Sequence, residues 1–170
     1  MKEKKTMTTI NLFLIVTTLA GGLIAGLFYS YSCSVNPGLG ALPDANYLAA
    51  MQSINRAILN PVFFLSFMGT LLLLPLSTYQ HFGSGSRFYW LLAATMVYVI
   101  GTFGVTIAGN VPLNEALDKV NLTGASAQEL AAHRLRFEVP WNRLHTIRTC
   151  ASVLSFALAL LACMTPLDKH

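Results

Sequence analysis

Charged residues are scarce in this 170-residue chain, at 11% of the sequence, where an average soluble domain has about 25%. Hydrophobic residues make up 54% of it, which excludes a disordered chain and argues against a soluble enzyme. The 11 lysine and arginine residues are scattered or paired with acids and form no single stripe. We therefore expect no nucleic-acid partner.

Signatures of metal and cofactor binding are also missing. The sequence has no CxxCH, P-loop or GxGxxG pattern, so it gives no sign of haem, nucleotide or flavin. The three cysteines show no metal-ligand spacing, and no two of the four histidines are close in sequence. A metal site from His133, Glu138 and His145 can be drawn, but its spacing is a weak signal. We expect neither a metal nor a cofactor.

Four apolar stretches are long enough to cross a bilayer, which takes about 20 helical residues. We place the spans at about residues 8–31, 60–79, 88–109 and 145–164. The last apolar run is short, so its helix has to begin near His145. The first run is too long for the apolar core of a signal peptide, which indicates a retained helix. The sequence thus predicts an all-α membrane protein, a four-transmembrane-helix bundle forming one domain over residues 1–170.

The two longer connections, residues 32–59 and 110–144, fall on the same side of such a bundle. Asp44 can cap a helix in the first connection, where apolar residues recur at helical spacing. Ser126 and Glu129 form a capping box that opens a helix in the second connection. The fold prediction therefore includes two short lid helices on one face of the bundle.

Positive charge before the first span indicates the orientation. Lys2, Lys4 and Lys5 form a cluster there, and such clusters usually stay in the cytoplasm. With four spans, both termini share one side. We expect an integral protein of the cytoplasmic (inner) membrane, in contact with membrane lipid and with both termini in the cytoplasm. Formation of a homo-oligomer stays open.

Polar residues at membrane depth fall mostly at the bundle end that faces the two connections. Tyr31 ends the first span, Asn60 begins the second, Asn110 ends the third, and Arg148 lies near the start of the fourth. An ionisable residue at such a depth is costly and is therefore a candidate for function. A binding site between these helix ends follows as a hypothesis.

Trp141, His145 and Arg148 are spaced i, i+4 and i+7, which places an aromatic ring, an imidazole and a fixed positive charge on one helix face. Together they can stack on a flat substrate, remove a proton and hold the anion. The alternative is an interfacial belt, in which Trp141 anchors the helix and Arg148 extends to the headgroups. Spacing alone leaves both interpretations open.

Two further polar pairs belong to the candidate site. Asn110 and Asn114 are spaced i, i+4 on either side of Pro112, which is expected to kink or restart the helix. Gln52 and Asn55 lie on the polar face of the first lid helix. Each pair either contacts a ligand or forms wetted loop surface.

Five segments carry a family resemblance: NPGL at 36–39, QSINR at 52–56, NPVF at 60–63, NVPLN at 110–114 and WNRLHTIRT at 141–149. With these segments in this order, the chain resembles the anthrone oxygenase-like integral membrane family, the domain of unknown function 1772. The resemblance implies a four-helix membrane bundle. For the fungal and actinobacterial members it also implies oxidation of an anthrone to an anthraquinone by molecular oxygen without a cofactor.

Site roles follow when this chemistry is carried onto the matching positions. His145 is the expected base, Arg148 the residue that stabilises the enolate-like oxygen, and Trp141 the stacking wall. The substrate-binding candidates are Gln52, Asn55, Asn60, Asn110, Asn114 and Tyr31.

Three functional classes remain open at this stage. The first is a cofactor-independent monooxygenase that acts on an anthrone-type or similar lipophilic carbon acid. The second is a non-catalytic binder or carrier of a lipophilic, quinone-like molecule. The third is a small structural subunit of a membrane complex. The first two share a lipophilic small molecule as partner.

Overall fold

The computed structural model describes the backbone of residues 2–166 and the side chains of residues 11–166. This part of the chain forms five helices and no strand. Their bounds are α1, Lys2–Ser30 continued by a π-helical turn at Tyr31–Val35 and by Asn36–Gly40; α2, Asp44–Ala57; α3, Pro61–Gln80; α4, Ser86–Met96 continued by π-helical segments at Val97–Gly104 and Thr106–Asn110 and by Val111–Asp118; and α5, Ala127–Met164. The lysine cluster at residues 2–5, on which the predicted orientation rests, lies outside the described side chains.

Helices α1, α3, α4 and α5 are each long and apolar enough to cross a membrane. Their outer faces carry exposed leucines such as Leu19, Leu65 and Leu72. Lipid solvates such side chains, whereas water does not. The four helices fit an integral membrane protein, and the predicted all-α four-helix architecture is confirmed.

The first and third membrane helices run further than predicted. Residues 32–40 and 110–118, which we expected in the lid segments 32–59 and 110–144, continue α1 and α4 as helix. A π-helical turn precedes Pro37 in α1 and another precedes Pro112 in α4. Because the wider turn bonds each N–H to a more distant carbonyl, it accommodates the proline ring and its missing N–H without ending the helix.

The fourth membrane helix begins much earlier than residue 145. The capping box is present, with Glu129 N 3.3 Å from Ser126 Oγ and Ser126 N 2.8 Å from the Glu129 carboxylate. It opens α5 itself, and α5 passes through Pro140 without ending because Phe137 and Trp141 are buried on either side. Within residues 2–166, α2 is thus a single separate lid helix where two were predicted.

Helices α4 and α5 approach closely along the part that leads to the lid. A Cβ added at Gly101 would lie 2.6 Å from the Cβ of Ala151, and one added at Gly109 would lie 2.8 Å from Leu144 Cδ1. Small residues allow such backbone contact between membrane helices. The close approach brings the polar side chains of α4 and α5 at the lid end against one another.

An apolar cluster packs α2 onto the extensions of α4 and α5. Its buried members are Tyr47, Leu48 and Met51 of α2 with Leu117, Phe137 and Trp141. Burial raises the pKa of the Tyr47 hydroxyl, so this side chain stays neutral at physiological pH. The lid helix is therefore held mainly by hydrophobic packing.

Hydrogen bonds fasten both ends of α2. Gln52 Nε2 donates to the carbonyl oxygens of Leu117 and Val120, both at 2.9 Å, which lie at the end of α4 and just beyond it. At the other end, Arg134 of α5 lies 2.9 Å from the Asp44 carboxylate. These contacts position the lid over one end of the bundle.

Candidate functional site

A cavity of about 100 Å³ lies between α2 and the end of the bundle. Most of its wall is apolar. The polar groups of the wall come from α1, α2, α4 and α5, and they are Tyr31, Asn55, Thr106, Asn114, His145 and Arg148, with Trp141 beside them. Six of the nine predicted site residues therefore line one cavity.

Two π-helical turns border this cavity. Tyr31 belongs to the π turn of α1, and Thr106 belongs to the second π segment of α4. A π turn adds a residue to the helix and changes the direction of the side chains that follow it, and such turns are frequent at functional sites. Here they aim Tyr31 and Thr106 at the trio on α5.

The trio on α5 points inward. Trp141, His145 and Arg148 have exposed fractions of 2%, 1% and 8%. An interfacial belt requires these side chains to reach the headgroups, so their burial argues against that alternative. The helical spacing that suggested a common face thus places all three residues in the cavity wall.

His145 is hydrogen-bonded through both ring nitrogens. Arg148 donates from Nε at 3.1 Å and from Nη2 at 3.0 Å to Nδ1. Because a guanidinium has no acceptor, Nδ1 accepts, and Nε2 donates to the carbonyl oxygen of Phe28 at 3.2 Å. The network therefore assigns a neutral imidazole with its proton on Nε2.

Aromatic rings fix the orientation of His145 and Arg148. The Trp141 ring stacks on the imidazole, with centroids 4.9 Å apart and planes inclined by 9°. The Arg148 Cζ lies 4.3 Å from the centroid of Phe28 and 5.3 Å from that of Trp141. These contacts stabilise the cation without neutralising its charge.

Arg148 has no acidic partner among the described residues. The ion pairs within residues 11–166 join Arg56 to Asp118 and Arg134 to Asp44 and Glu138. Besides His145, the Arg148 guanidinium has one further acceptor, the Thr106 hydroxyl, at 3.5 Å. A buried cation with neutral neighbours is costly unless an anion binds beside it. The cavity is therefore suited to a ligand that becomes negatively charged.

Asn114 and Tyr31 contribute to the wall in different ways. Asn114 Oδ1 accepts from Trp141 Nε1 at 2.8 Å, which fixes the plane of the indole. The Tyr31 hydroxyl donates to Met51 Sδ at 3.3 Å, a weak acceptor that a ligand oxygen can replace. Asn55 forms no hydrogen bond through its buried Nδ2.

Three predicted site residues do not line the cavity. Gln52 holds α2 to the end of α4. Asn60 is the N-cap of α3, where its Oδ1 accepts from Phe63 N at 3.0 Å. Asn110 is fully buried, and its Nδ2 donates to the Trp141 carbonyl oxygen at 3.3 Å. Each of them bonds elements around the site to one another and does not line this cavity.

Phe28 and Thr149 are site residues that sequence reasoning missed. Phe28 supplies both a ring below Arg148 and the carbonyl that orients His145. Thr149 Oγ1 lies 3.4 Å from His145 Nε2. Phe28 lies in an unbroken apolar run and gave no signal, whereas Thr149 is the last residue of the WNRLHTIRT segment.

Residues 11–166 contain no group of three histidine, cysteine or acidic side chains placed to hold a metal ion. Glu138 pairs with Arg134 at 2.7 Å, and His145 is occupied as described above. The structure thus does not assemble His133, Glu138 and His145 into a ligand set.

Comparison with known proteins gives a family match that contains four of the five family segments, all except NPGL at 36–39. The sequence model of the anthrone oxygenase family matches residues 51–158, which contain the second half of α2, all of α3 and α4 and most of α5. No curated protein and no solved structure matched the chain. Because the family match covers more than half of the sequence, the chain belongs to the anthrone oxygenase family.

Proposed function

We propose that this protein oxidises an anthrone-type, lipophilic carbon acid with molecular oxygen and forms the corresponding quinone. The observation that carries the proposal is the buried guanidinium of Arg148, which has no acidic partner among the described residues and lies in an apolar cavity beside a neutral His145. Membership of the anthrone oxygenase family supports the same chemistry.

Arg148 favours ionisation of such a substrate. An anthrone has a methylene group opposite a ketone, and loss of one methylene proton gives an aromatic enolate with negative charge on the ketone oxygen. A fixed cation in an apolar site lowers the free energy of that anion much more than water does. The faces of Phe28 and Tyr31 offer aromatic contact for a flat ring system.

His145 is the proposed base. Its lone pair is on Nδ1, which accepts from Arg148. When the substrate oxygen takes over the guanidinium donors, Nδ1 is released and can accept the methylene proton. The enolate then lies beside two cations, Arg148 and the protonated His145, which favours the charge-separated state.

Oxygen is reduced by the substrate itself in this scheme. The enolate transfers an electron to O2, and the resulting radical pair combines to a peroxide anion at the former methylene carbon. Protonated His145 returns its proton to this anion, which gives the hydroperoxide. Loss of water gives the second carbonyl. One oxygen atom thus remains in the quinone, the other leaves in water, and water also carries both methylene hydrogens. The scheme requires no metal or flavin because the carbanion is the reductant.

Substrate entry requires movement of the lid. The cavity of about 100 Å³ is smaller than the roughly 300–1,000 Å³ of a usual small-molecule site. Ile54 and Asn55 of α2 and Leu59 of the following turn form its outer wall. Displacement of α2 enlarges the cavity, and its return excludes water from the enolate.

Oxygen uptake with labelled gas tests the proposal. Purified protein in detergent receives anthrone and ¹⁸O2, and we expect uptake well above the spontaneous autoxidation measured with heat-denatured protein. The anthraquinone should contain one labelled oxygen. Arg148→Leu should lose this excess rate, whereas Arg143→Leu, at an exposed position on the same helix, should keep it. A rate equal to autoxidation would contradict the proposal.

One observation favours a second candidate, a binder or carrier of a lipophilic quinone. The Nδ1 lone pair of His145 is engaged by Arg148, as expected of a residue that only holds the guanidinium in place. A carrier keeps its affinity in a His145→Gln variant, whereas an oxygenase loses turnover. The cytoplasmic membrane and the cytoplasmic position of both termini remain proposals, as does a homo-oligomer.

A further inference from the structure

We propose that Asn55 is a specificity-determining residue that donates a hydrogen bond from Nδ2 to a second oxygen of the substrate. The preferred substrate is then an aromatic ketone that carries a ring hydroxyl or carbonyl oxygen in addition to the enolisable one. This inference rests on the proposed function, since it concerns the same cavity, and it narrows the substrate class.

Asn55 Nδ2 is buried and has no hydrogen-bond partner among the described residues. The side chain lines the cavity together with Arg148 and with the apolar side chains of Ile54 and Ile58. A buried amide nitrogen without an acceptor is unfavourable and unusual in a folded protein. A ligand in the cavity is the natural source of the missing acceptor.

The other polar groups of the wall do not meet this need. Asn114 Oδ1 is occupied by Trp141 Nε1 at 2.8 Å. The Thr106 hydroxyl donates to the Thr102 carbonyl at 2.7 Å and lies 3.5 Å from Arg148. Asn55 and Arg148 therefore retain N–H donors for a ligand, in addition to the Tyr31 hydroxyl with its weak acceptor Met51 Sδ.

A wall with two separate sources of unused donors suits a ligand with two oxygen acceptors. The ketone oxygen, which becomes the enolate oxygen, pairs with the cation of Arg148. A further ring oxygen pairs with the neutral amide of Asn55. Unsubstituted anthrone has one oxygen only and leaves Asn55 unsatisfied, so it is a poorer ligand.

The position of Asn55 in α2 adds a second consequence. Arg148 belongs to α5 in the bundle, whereas Asn55 belongs to the lid. A ligand that contacts both residues joins the lid to the bundle. Recognition of the second oxygen therefore favours the closed arrangement of α2.

Equilibrium binding of aromatic ketones tests the role of Asn55 without requiring turnover. The ligands are 9-fluorenone, which has one oxygen and no enolisable methylene group, and its 1-hydroxy and 2-hydroxy derivatives, and Kd is measured for purified protein in detergent. We expect at least one hydroxylated ketone to bind wild-type protein about tenfold more tightly than the parent, the usual effect of one good hydrogen bond. Asn55→Leu should reduce this advantage to about twofold or less.

Two further variants make the result specific. Asn55→Ala removes the amide and leaves a smaller side chain, so it should lose the advantage as well, and the test does not depend on the folding of one variant. Asn46→Leu replaces an exposed asparagine of the same helix and should keep the wild-type ratio of Kd values.

Three results would overturn the inference: equal binding of all three ketones or of none by the wild type, an unchanged advantage in Asn55→Leu, or an unchanged advantage in Asn55→Ala. Failure of the proposed oxygenation is distinguishable, because it would remove oxygen uptake and leave the Kd ratios as expected. A normal rate of oxygen uptake with unchanged Kd ratios in the Asn55 variants would refute the role of Asn55 alone.

Discussion

Arg148 and His145 share one nitrogen: both Nε and Nη2 of the guanidinium donate to Nδ1 of the imidazole, at 3.1 Å and 3.0 Å. The pair is spaced i, i+3 on α5 and is buried. The cation therefore keeps the imidazole neutral and orients it, while the imidazole holds the cation at the cavity. In the proposed mechanism, each residue prepares the other for the enolate oxygen of the substrate.

Substitution of Arg148 should lower the rate of oxidation by an amount that depends on the charge and geometry of the new side chain. Arg148→Leu should lower kcat/KM for anthrone by about 10² to 10³, because the enolate loses its cation. Arg148→Lys should be intermediate, since an ammonium keeps the charge but lacks the planar fork that meets Nδ1 twice. Steady-state oxygen uptake measures both. Equal rates for wild type and Arg148→Leu would contradict the role of Arg148.

Substitution of His145 separates catalysis from binding. His145→Gln should lower kcat by about 10² to 10⁴, the usual contribution of a general base, while the Kd for anthraquinone changes by only a few-fold. His133→Gln, on the same helix outside this cavity, serves as the control. An unchanged kcat in His145→Gln would favour a different base. If the wild-type protein shows no turnover and both proteins bind anthraquinone equally well, the carrier function is favoured.

Chelation tests whether the substrate anion alone reduces oxygen. Activity should survive incubation with EDTA or with an iron chelator followed by desalting, because the proposed electron donor is the enolate. Elemental analysis of the active protein should give less than one metal per chain. Loss of activity on chelation, with recovery on addition of one metal ion, would require a revised mechanism in which His145 is a ligand.

Cysteine labelling tests the topology. Ser84→Cys lies in the turn between α3 and α4, and Ala125→Cys lies before α5, at the opposite end of the bundle. In a background without Cys33, Cys150 and Cys163, a membrane-impermeant maleimide should label the second site from outside intact cells and the first only after lysis. Labelling of both sites from the same side would contradict the four-span arrangement.

Protein stability should depend on His81, which lies beyond the end of α3. The imidazole is 1% exposed, and Nδ1 donates to the Ser77 carbonyl oxygen at 2.8 Å, while Nε2 has no partner among the described residues. Burial lowers the pKa of His81 in the folded protein. As the pH falls below the unfolded pKa of about 6.5, the unfolded state takes up the proton first, so stability is lost on acidification.

Thermal unfolding in detergent between pH 8 and pH 5 measures this effect. Wild-type protein should lose up to about 1.4 kcal/mol of stability per pH unit from His81 below pH 6.5. His81→Gln can still donate to Ser77 but does not titrate, so its Tm should decline less on acidification. Parallel Tm profiles for wild type and variant would show that His81 does not titrate in this range.

Composition and helical spacing were sufficient to predict the four membrane helices and the inward face of α5. A stretch of about 20 apolar residues has one stable form in lipid, a helix with its backbone hydrogen bonds satisfied internally. Trp141, His145 and Arg148 must share a face on any helix that includes them. These features depend on local sequence and on the solvent, so they required no knowledge of tertiary contacts.

Tertiary structure decided where the lid begins and which asparagines reach the cavity. Pro37, Pro112 and Pro140 are stop signals in isolated sequence, yet π turns and buried aromatic neighbours carry the helices through them. Asn55 and Asn110 look alike as polar residues of family segments. The contact of α2 with α4 and α5 places Asn55 in the cavity wall and Asn110 behind Trp141, because side-chain position relative to other helices depends on packing between elements distant in sequence.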